Sequence, residues 1–573
     1  MEIKPLLNTP ILGLPLVPVE LPSLDVLTPI DNQDLREYVV TLKEHQDLDS
    51  FYNDMETSGG DLYIPSREVE VAERRPMSRN THYYLTAAEA KQIKDDPRVE
   101  SIELTIIEKG FSIVPLGQYS DNWNKGNTTS TADKNWGLFR CYNGTATANW
   151  GSDGTTNASG NIEITNNGTN VDVIIVDGII DPLHPEFAVN ADGTGGSRVI
   201  RYNWFQHDPE VKGTSAGTYS YNDSNSASHG FHVAGIAVGN TQGWARKANI
   251  YNISPYTTSS VYLIDYIRAF HNAKPINPAT GRKNPTIANY SFGIIGEFAL
   301  STVYFIQFQG STYSRPNPTQ SPVTDWGWGA YRAQYGLVVG IGNTMVYYAR
   351  YSAFDTDTAD AAAAGVIQVG AAGNYWMYND VLGGINYNNA AINNAQTNYQ
   401  YYMQGPSPGC SPGVICVSAI DNTVEERKAN YSNAGPRTDV FAPGSGITSS
   451  YTTGTADPRN AAYYIEKNSG TSMASPQVTG VLACALETYP SMTPAEALAY
   501  IVNYSSKAQL NDTDQYGGLD PFREYFTLLD GPNYYLKYKQ EKSTVGMTYP
   551  KQNYNIRPTS GRTYPRVKRR LIG

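Results

Sequence analysis

VDVIIVDGIID, residues 171–181, decides the fold class. Its first six residues are almost wholly apolar and β-branched. The run is too short for a helix and lacks the alternation of a half-exposed strand. It reads as a strand buried on both faces, as in a parallel sheet covered by helices. The run ends on Asp177, and groups at the carboxyl ends of such strands line the ligand-binding edge of open α/β sheets. Runs of the same kind recur downstream, separated by helical stretches: ANIYNI at 248–253, PTIANYSF at 285–292, AAAAGVIQVGAAG at 361–373 and GVICVSAI at 413–420. Together they predict an α/β domain with a parallel sheet and helices on both faces. It spans 135–515 and is interrupted by polar insertions near 294–335 and 375–409, the second rich in Asn and Tyr.

Upstream the texture is different. Residues 1–35 are rich in Pro and Leu and read as an extended arm. From there the pattern is strand (38–42), helix (47–56, with Leu48, Phe51, Tyr52 and Met55 at spacings of three and four), strand (68–72) and strand (82–85). TAAE at 86–89 is a capping-box signal opening a second helix through Lys94, and VESIELTII at 99–107 is a closing strand. The order β-α-β-β-α-β over 36–108 predicts a small ferredoxin-like α+β unit. Residues 109–134 read as a linker and 516–573 as a C-terminal extension.

The 573 residues carry 43 Lys+Arg against 54 Asp+Glu, a net of −11. That average hides a split. Residues 537–573 hold ten basic groups and one acid, a net of +9, which leaves −20 on the remaining 536. A basic tail on an acidic body is not the footprint of a nucleic-acid-binding protein, and the tail is suited to an acidic partner. Hydrophobic residues at 40% exclude a wholly disordered chain. Four Cys make no disulfide framework; Cys410 and Cys416 are near enough in sequence to consider as a pair, though Cys416 and Cys484 sit in apolar runs that suit buried thiols. No signal-peptide pattern and no membrane-length apolar run is apparent, so the sequence leaves localisation unknown.

Three segments carry reactive groups where a strand hands over to a turn or helix. Asp177 closes its strand. ASHGFHVAGIAVG (227–239) places His229 and His232 at the head of an apolar helix, without the H-E-x-x-H spacing of a zinc site. NSGTSMASPQVTGVLACALE (468–487) places Ser472 at the start of a long apolar helix, whose dipole and first-turn N–H groups favour an anion there. Pro476 is tolerable in a first turn. Ser472 needs a base, which His229 can supply. Asp177 would then fix the imidazole tautomer and stabilise the imidazolium.

The motifs VDVIIVDGIIDPLHPEF, HGFHVAGIAVG and GTSMASP, in the order Asp…His…Ser, resemble those of the subtilisin-family serine proteases (subtilases). NWGLFR (135–140), NYSFG (289–293) and the segment 417–444 extend the resemblance across about 135–510. YYLTAAEAKQIKDDPRVESIE (83–103) resembles the subtilisin propeptide inhibitor. The resemblance implies a serine endopeptidase that works through Asp177, His229, Ser472 and an acyl-enzyme, on polypeptide substrates. It also implies a self-inhibited precursor whose own propeptide blocks the cleft and is cut within 108–134. It implies an oxyanion hole built from the Ser472 N–H and an Asn amide, for which Asn374 is preferred over Asn343. Ser291, Phe292 and Gly293 would pair with substrate, and Ala371, Ala372 and Gly373 would form the opposite wall. No cofactor is required for catalysis and no metal ligands are read; structural calcium, frequent in the family, stays open. Two departures stand out: Phe231 where the family usually has Thr, which would add bulk next to the cleft, and Gly178 and Ile179 where the Asp motif usually has Ser/Thr-Gly, which would remove a hydroxyl near the aspartate. A second reading is a structural or assembly-associated protein, for instance of a virus particle, on the same fold with little turnover. The unseen export signal, the Asn/Tyr-rich insertions and the basic tail motivate it.

Overall fold

Among the described residues nine strands form the central sheet, in the order Ser506–Lys507, Tyr534–Tyr535, Val440–Pro443, Val414–Ile420, Ile367–Ala371, Thr286–Tyr290, Asp172–Val176, Asn249–Ile253 and Val199–Ile200. All neighbours are parallel except the outermost pair, 506–507 with 534–535. The structure is a computed structural model that describes residues 35–64, 70–115, 119–120, 136–143, 164, 166–222, 227–256, 260–315, 335–337, 344–396, 398–422, 426–507, 510 and 533–539. The basic tail beyond 539, the N-terminal arm and Asn343 lie outside these residues.

The strand at 172–176 shows why the sheet needs cover on both faces. Val173 and Ile175 point into one apolar layer, with Phe231, Ala234, Val478 and Leu482 from the helices Ala227–Val238 and Thr471–Thr488. Ile174 and Val176 point the other way, into a layer shared with Ile264, Ile267 and Phe270 of the helix Leu263–Ala273. Every residue of this strand is buried, as a continuous apolar run demands. The fold is thus α/β with a parallel sheet and helices on both faces, as the sequence predicts. Among the described residues no helix is long and apolar enough to cross a membrane.

The N-terminal unit is a four-stranded antiparallel sheet, ordered Glu70–Glu73, Asn80–Leu85, Arg36–Leu42, Val99–Leu104, with the helices Leu48–Glu56 and Ala87–Lys94. The capping box is formed: Thr86 accepts from the Glu89 N–H, and the Glu89 side chain accepts from the Thr86 N–H. Val40, Leu42, Phe51, Met55, Tyr83 and Ile93 make the unit's own core. Alternation along the first strand sends Val39 to the opposite face, into a core layer of the large domain. On that face Arg75, fully buried, bridges Asp265 (2.6 Å) and Asp357 (2.7 Å) on two helices of the large domain. Burial, partly offset by Arg75, pushes Asp357 up to about 6.

Two features depart from the reading of the sequence. The insertions are not separate loops: Phe305–Phe308 and Ser311–Ser314 from the first pair with Ala390–Ile392 and Tyr399–Tyr401 from the second in one four-stranded sheet. Tyr534–Tyr535, read as part of an extension, is a strand of the central sheet next to Val440–Pro443. Cys416 and Cys484 are free, buried thiols, as their apolar runs predict; Cys410 is also free and buried, its Sγ 3.5 Å from that of Cys416.

The turn after Asp177 is pinned by a buried ion pair. Glu186, fully buried, accepts from the Thr241 and Gln242 N–H groups and from Arg459. Burial alone would raise its pKa, but Arg459 and Thr241 outweigh that and hold it down to about 2, against 4.5 ordinarily. The sign follows from linkage. The folded chain releases this proton more readily than the unfolded one, so the stabilisation is present above about pH 4.5 and is lost as pH falls toward 2. Arg459→Met leaves Glu186 buried without its cation and costs about 3–5 kcal/mol at pH 7. Burial then raises the Glu186 pKa, so the variant's stability falls as pH rises through the range where the parent's is flat. Urea unfolding from pH 3 to 7 reads both slopes; parallel curves would contradict this account.

Candidate active site

Asp177 follows the last residue of the strand Asp172–Val176 and is 3% exposed. His229 lies in the first turns of the helix Ala227–Val238 and is fully buried. Its Nδ1 meets the Asp177 carboxylate at 2.8 and 3.0 Å. Such a contact fixes the ring's tautomer: Nδ1 carries the proton and Nε2 keeps the lone pair. Nε2 is buried and has no hydrogen-bond partner. The helix can come this close because residue 230 is glycine. A Cβ there would stand 2.3 Å from the Gly178 carbonyl oxygen. Gly178 in turn donates its backbone N–H to Asp177 Oδ1 at 2.7 Å, a contact that needs no hydroxyl at that position.

Phe231 was expected beside the cleft. It is 5% exposed and points into the core, against His184 and Phe187 with ring centroids 5.8 and 6.2 Å away. The second histidine of the motif is structural. His232 Nε2 lies 3.2 Å from the Glu466 carbonyl, and burial holds its pKa down to about 3, so it stays neutral.

Ser472 is the second residue of the helix Thr471–Thr488 and is fully buried. Its Oγ donates to the Ser291 carbonyl at 3.0 Å. Pro476 falls in the helix interior rather than its first turn. Lacking an N–H, it cannot bond the Ser472 carbonyl four residues back. The Ser291 hydroxyl does so instead, at 3.0 Å. Asn289 and Ser475 fix that hydroxyl in turn, at 2.9 and 3.0 Å. The serine and the strand edge at 291–293 are therefore tied together by reciprocal contacts.

Asn374 follows the strand Ile367–Ala371. Its Oδ1 accepts from both the N–H and the hydroxyl of Thr471, each at 2.9 Å. Its Nδ2 is buried with no partner. Its backbone N–H donates to the Tyr348 hydroxyl at 2.9 Å. Gly373, at φ +109°, lies where glycine is favoured, and a Cβ would meet the Asn433 amide and the Tyr348 ring within 2.6 Å. Ala371 and Ala372 are fully buried beside it. Phe292 turns its ring into the core, 6.1 Å from that of Tyr290, which leaves the backbone of 292–293 as the strand's contribution to the cleft. The structure therefore gathers Asp177 with His229, and Ser472 with Ser291 and, through Thr471, with Asn374. The sequence reading missed Tyr348, Thr471 and Ser475. Thr471 and Ser475 flank Ser472 in its own motif and could have been suspected; Tyr348 carries no local signal. No cluster of metal-ligating side chains surrounds Ser472 among the described residues.

The edge at 292–295 is occupied. The strand Ser112–Pro115 pairs antiparallel with it, Gly293 opposite Val114 and Phe292 opposite Pro115. Four residues on, Tyr119–Ser120 pairs with 468–469, which leads directly to Ser472. A segment read as a linker thus enters along one wall and leaves along another.

The chain belongs to the subtilase family, whose model matches residues 168–520. It is similar to an extracellular serine proteinase of a Thermus species, at 36% identity over 111 residues, 19% of this chain and 25% of that one. It is also similar to the alkaline serine exoprotease A of Vibrio alginolyticus, at 24% identity over 436 residues, 75% of this chain and 55% of that one. The matched stretches span about half or less of these relatives' own length. Among solved structures, fervidolysin from Fervidobacterium pennivorans, a keratinolytic enzyme related to subtilisin, aligns over 88% of this chain and 60% of its own at 18% identity, with a TM-score of 0.47.

Gly230→Ala tests the close approach that seats His229. The methyl group has only backbone to push against, so the helix or the Asp177 loop must move. The melting temperature should fall by several degrees, the effect of an overpacked core site costing about 1–3 kcal/mol. An unchanged melting temperature would show that the approach is not tight.

Proposed function

We propose that this chain is a serine endopeptidase made as a self-inhibited precursor. One observation carries the reading: His229, held by Asp177 at the head of one helix, and Asn374, held by Thr471 next to Ser472 at the head of the helix packed against it, each keep a buried side-chain nitrogen without a partner. Burying an unpaired polar atom costs about 1–3 kcal/mol, so each points to a ligand that supplies the missing contact.

A peptide carbonyl against Ser472 supplies them. Rotation of the Ser472 hydroxyl off the Ser291 carbonyl brings Oγ toward His229. As Oγ attacks the carbonyl carbon, its proton passes to Nε2, and Asp177 stabilises the imidazolium through Nδ1–H. The carbonyl oxygen gains the negative charge and accepts from Asn374 Nδ2 and from the Ser472 N–H, in the first turn of its helix. Collapse expels the amine, which takes the proton from His229, and leaves an acyl-enzyme. Water, deprotonated by the same imidazole, then releases the acid. The edge at 291–293 would hold the peptide as an added strand, with 371–373 as the facing wall.

In the precursor the chain's own residues 112–115 take the substrate's place, and the N-terminal unit, clamped through Arg75, holds them there. The cut is then expected between Pro115 and Tyr119. Intact-mass and N-terminal analysis of the wild type and Ser472→Ala test this. The wild type should lose its N-terminal unit with a new terminus at 116–119, while Ser472→Ala stays whole. Asn374→Ala should slow the cut about 10²–10³-fold, a magnitude drawn from this family's own mutants rather than from these distances. A wild type that stays whole, or an identical cut in Ser472→Ala, would overturn the reading in favour of a protein that uses the fold structurally.

A further inference from the structure

The strand Ser112–Pro115 shows which peptides the cleft accepts, because its register against 292–295 can be followed residue by residue. Phe292 stands opposite Pro115, Gly293 opposite Val114, Ile294 opposite Ile113 and Ile295 opposite Ser112. Along an antiparallel pair the backbone groups turn to the partner at every second residue and away from it in between. Ile294 turns both of its groups away: its N–H donates to the Ser407 carbonyl at 3.1 Å, and its carbonyl accepts from the Ala349 N–H at 3.0 Å. Gly293 and Ile295 therefore face 112–115, while Phe292 turns away as Ile294 does. Such a ladder asks for an N–H at Val114 and at Ser112, and for none at Ile113 or Pro115. Pro115, which has no N–H, falls where none is needed.

Proline does more than fit this place. It restricts the residue before it to extended backbone, which is what Val114 needs in order to pair with Gly293. A peptide carrying it arrives partly ordered and loses less freedom on binding. Val114 and Ile113 are β-branched and favour the same backbone. One step further along the wall, Ser291 turns the same way as Gly293, and its carbonyl holds the Ser472 hydroxyl at 3.0 Å. In a peptide bound in this register, the residue after the proline faces Ser291. Its carbonyl carbon is then the one within reach of Ser472, and the next carbonyl lies about 3.3 Å further on.

We infer that the cleft selects extended peptides with proline at the second residue before the cut, and that it cleaves after the residue that follows the proline. The chain's own sequence obeys the rule: Ile113-Val114-Pro115-Leu116 precedes Gly117, so the cut expected between Pro115 and Tyr119 narrows to the Leu116–Gly117 bond. This preference rests on the endopeptidase reading and adds a substrate class to it. Moving the proline back by one residue sets it against Gly293, where the missing N–H leaves the glycine carbonyl without a donor and the ring meets the wall.

Two readouts test it. In the full chain, intact mass follows self-cleavage of the wild type, of Pro115→Ala, and of the exchange Val114→Pro with Pro115→Val. The wild type should part at Leu116–Gly117. Pro115→Ala should part at the same bond about two- to fivefold more slowly, the effect of a looser backbone. The exchange should slow the cut by about tenfold or more, through the unpaired carbonyl. Melting temperatures of the same variants on a Ser472→Ala background report whether the N-terminal unit still docks. In the second readout the wild-type chain is given casein, a peptide of residues 111–120, and the same peptide with Val114 and Pro115 exchanged. The native peptide should be cut between its Leu and Gly, with kcat/KM about tenfold or more above the exchanged one. Pro115→Ala cut as fast as the wild type, or the two peptides cut alike while casein is cleaved, would overturn the preference and leave the endopeptidase reading standing. A wild-type cut at another bond would overturn the register. Casein, both peptides and the chain itself all left whole would overturn the endopeptidase reading, and this preference with it.

Discussion

Two helices, Ala227–Val238 and Thr471–Thr488, lie together on one face of the central sheet, and the site depends on how closely they can do so. Glycine makes the approach. At Gly480 a Cβ would collide with the Ala237 carbonyl and the Trp244 side chain, at Gly235 with the Ser449 and Ser450 hydroxyls, and at Gly230 with the Gly178 carbonyl. Each glycine costs the helix about 1 kcal/mol relative to alanine in propensity. Buried side chains against the sheet offset that cost. The return is positional: His229 heads one helix, Ser472 the other, and both begin at the sheet edge where Asp177 ends its strand.

Around this frame the polar atoms divide into two kinds. Those of Glu186, Arg459 and Thr241 are mutually satisfied, with Glu186 and Thr241 buried, and they hold the turn that follows Asp177. Those of His229 and Asn374 are satisfied on one side only. The satisfied atoms orient the open ones. Asp177 aims the imidazole, Thr471 aims the amide, and Ser291 ties the serine to the strand edge while making up the hydrogen bond that Pro476 cannot. Preorganisation of this kind is costly without a ligand. The antiparallel strand Ser112–Pro115 covers part of the cost by satisfying the backbone of 292–295.

Much of this was legible in the sequence where the signal is local. The apolar runs at 171–176, 248–253, 361–373 and 413–420 each contain an observed strand, and the Thr86 capping box forms as read. Asp177, His229 and Ser472 fall at the strand and helix ends where the sequence placed them. What escaped was long-range. The insertion strands pair with each other across about 80 residues, and Tyr534–Tyr535 joins a sheet whose previous parallel strand is at Val440–Pro443. Nothing in a short window marks such partners. Phe231 was misplaced for a related reason: position in a motif fixes the backbone, but the side chain follows the cavity, here formed by His184 and Phe187. Tyr348 was invisible because only the folded chain brings its hydroxyl to Asn374.

The central claim is that Ser472 becomes a nucleophile through His229. Covalent labelling of the chain, freed of its N-terminal unit, with a fluorophosphonate reads this directly, since the reagent forms a stable adduct only with an activated serine. Peptide mapping should place one adduct on Ser472, and His229→Ala should abolish it while the chain stays folded. An unlabelled Ser472 in the folded, unblocked protein, or equal labelling in His229→Ala, would contradict the account.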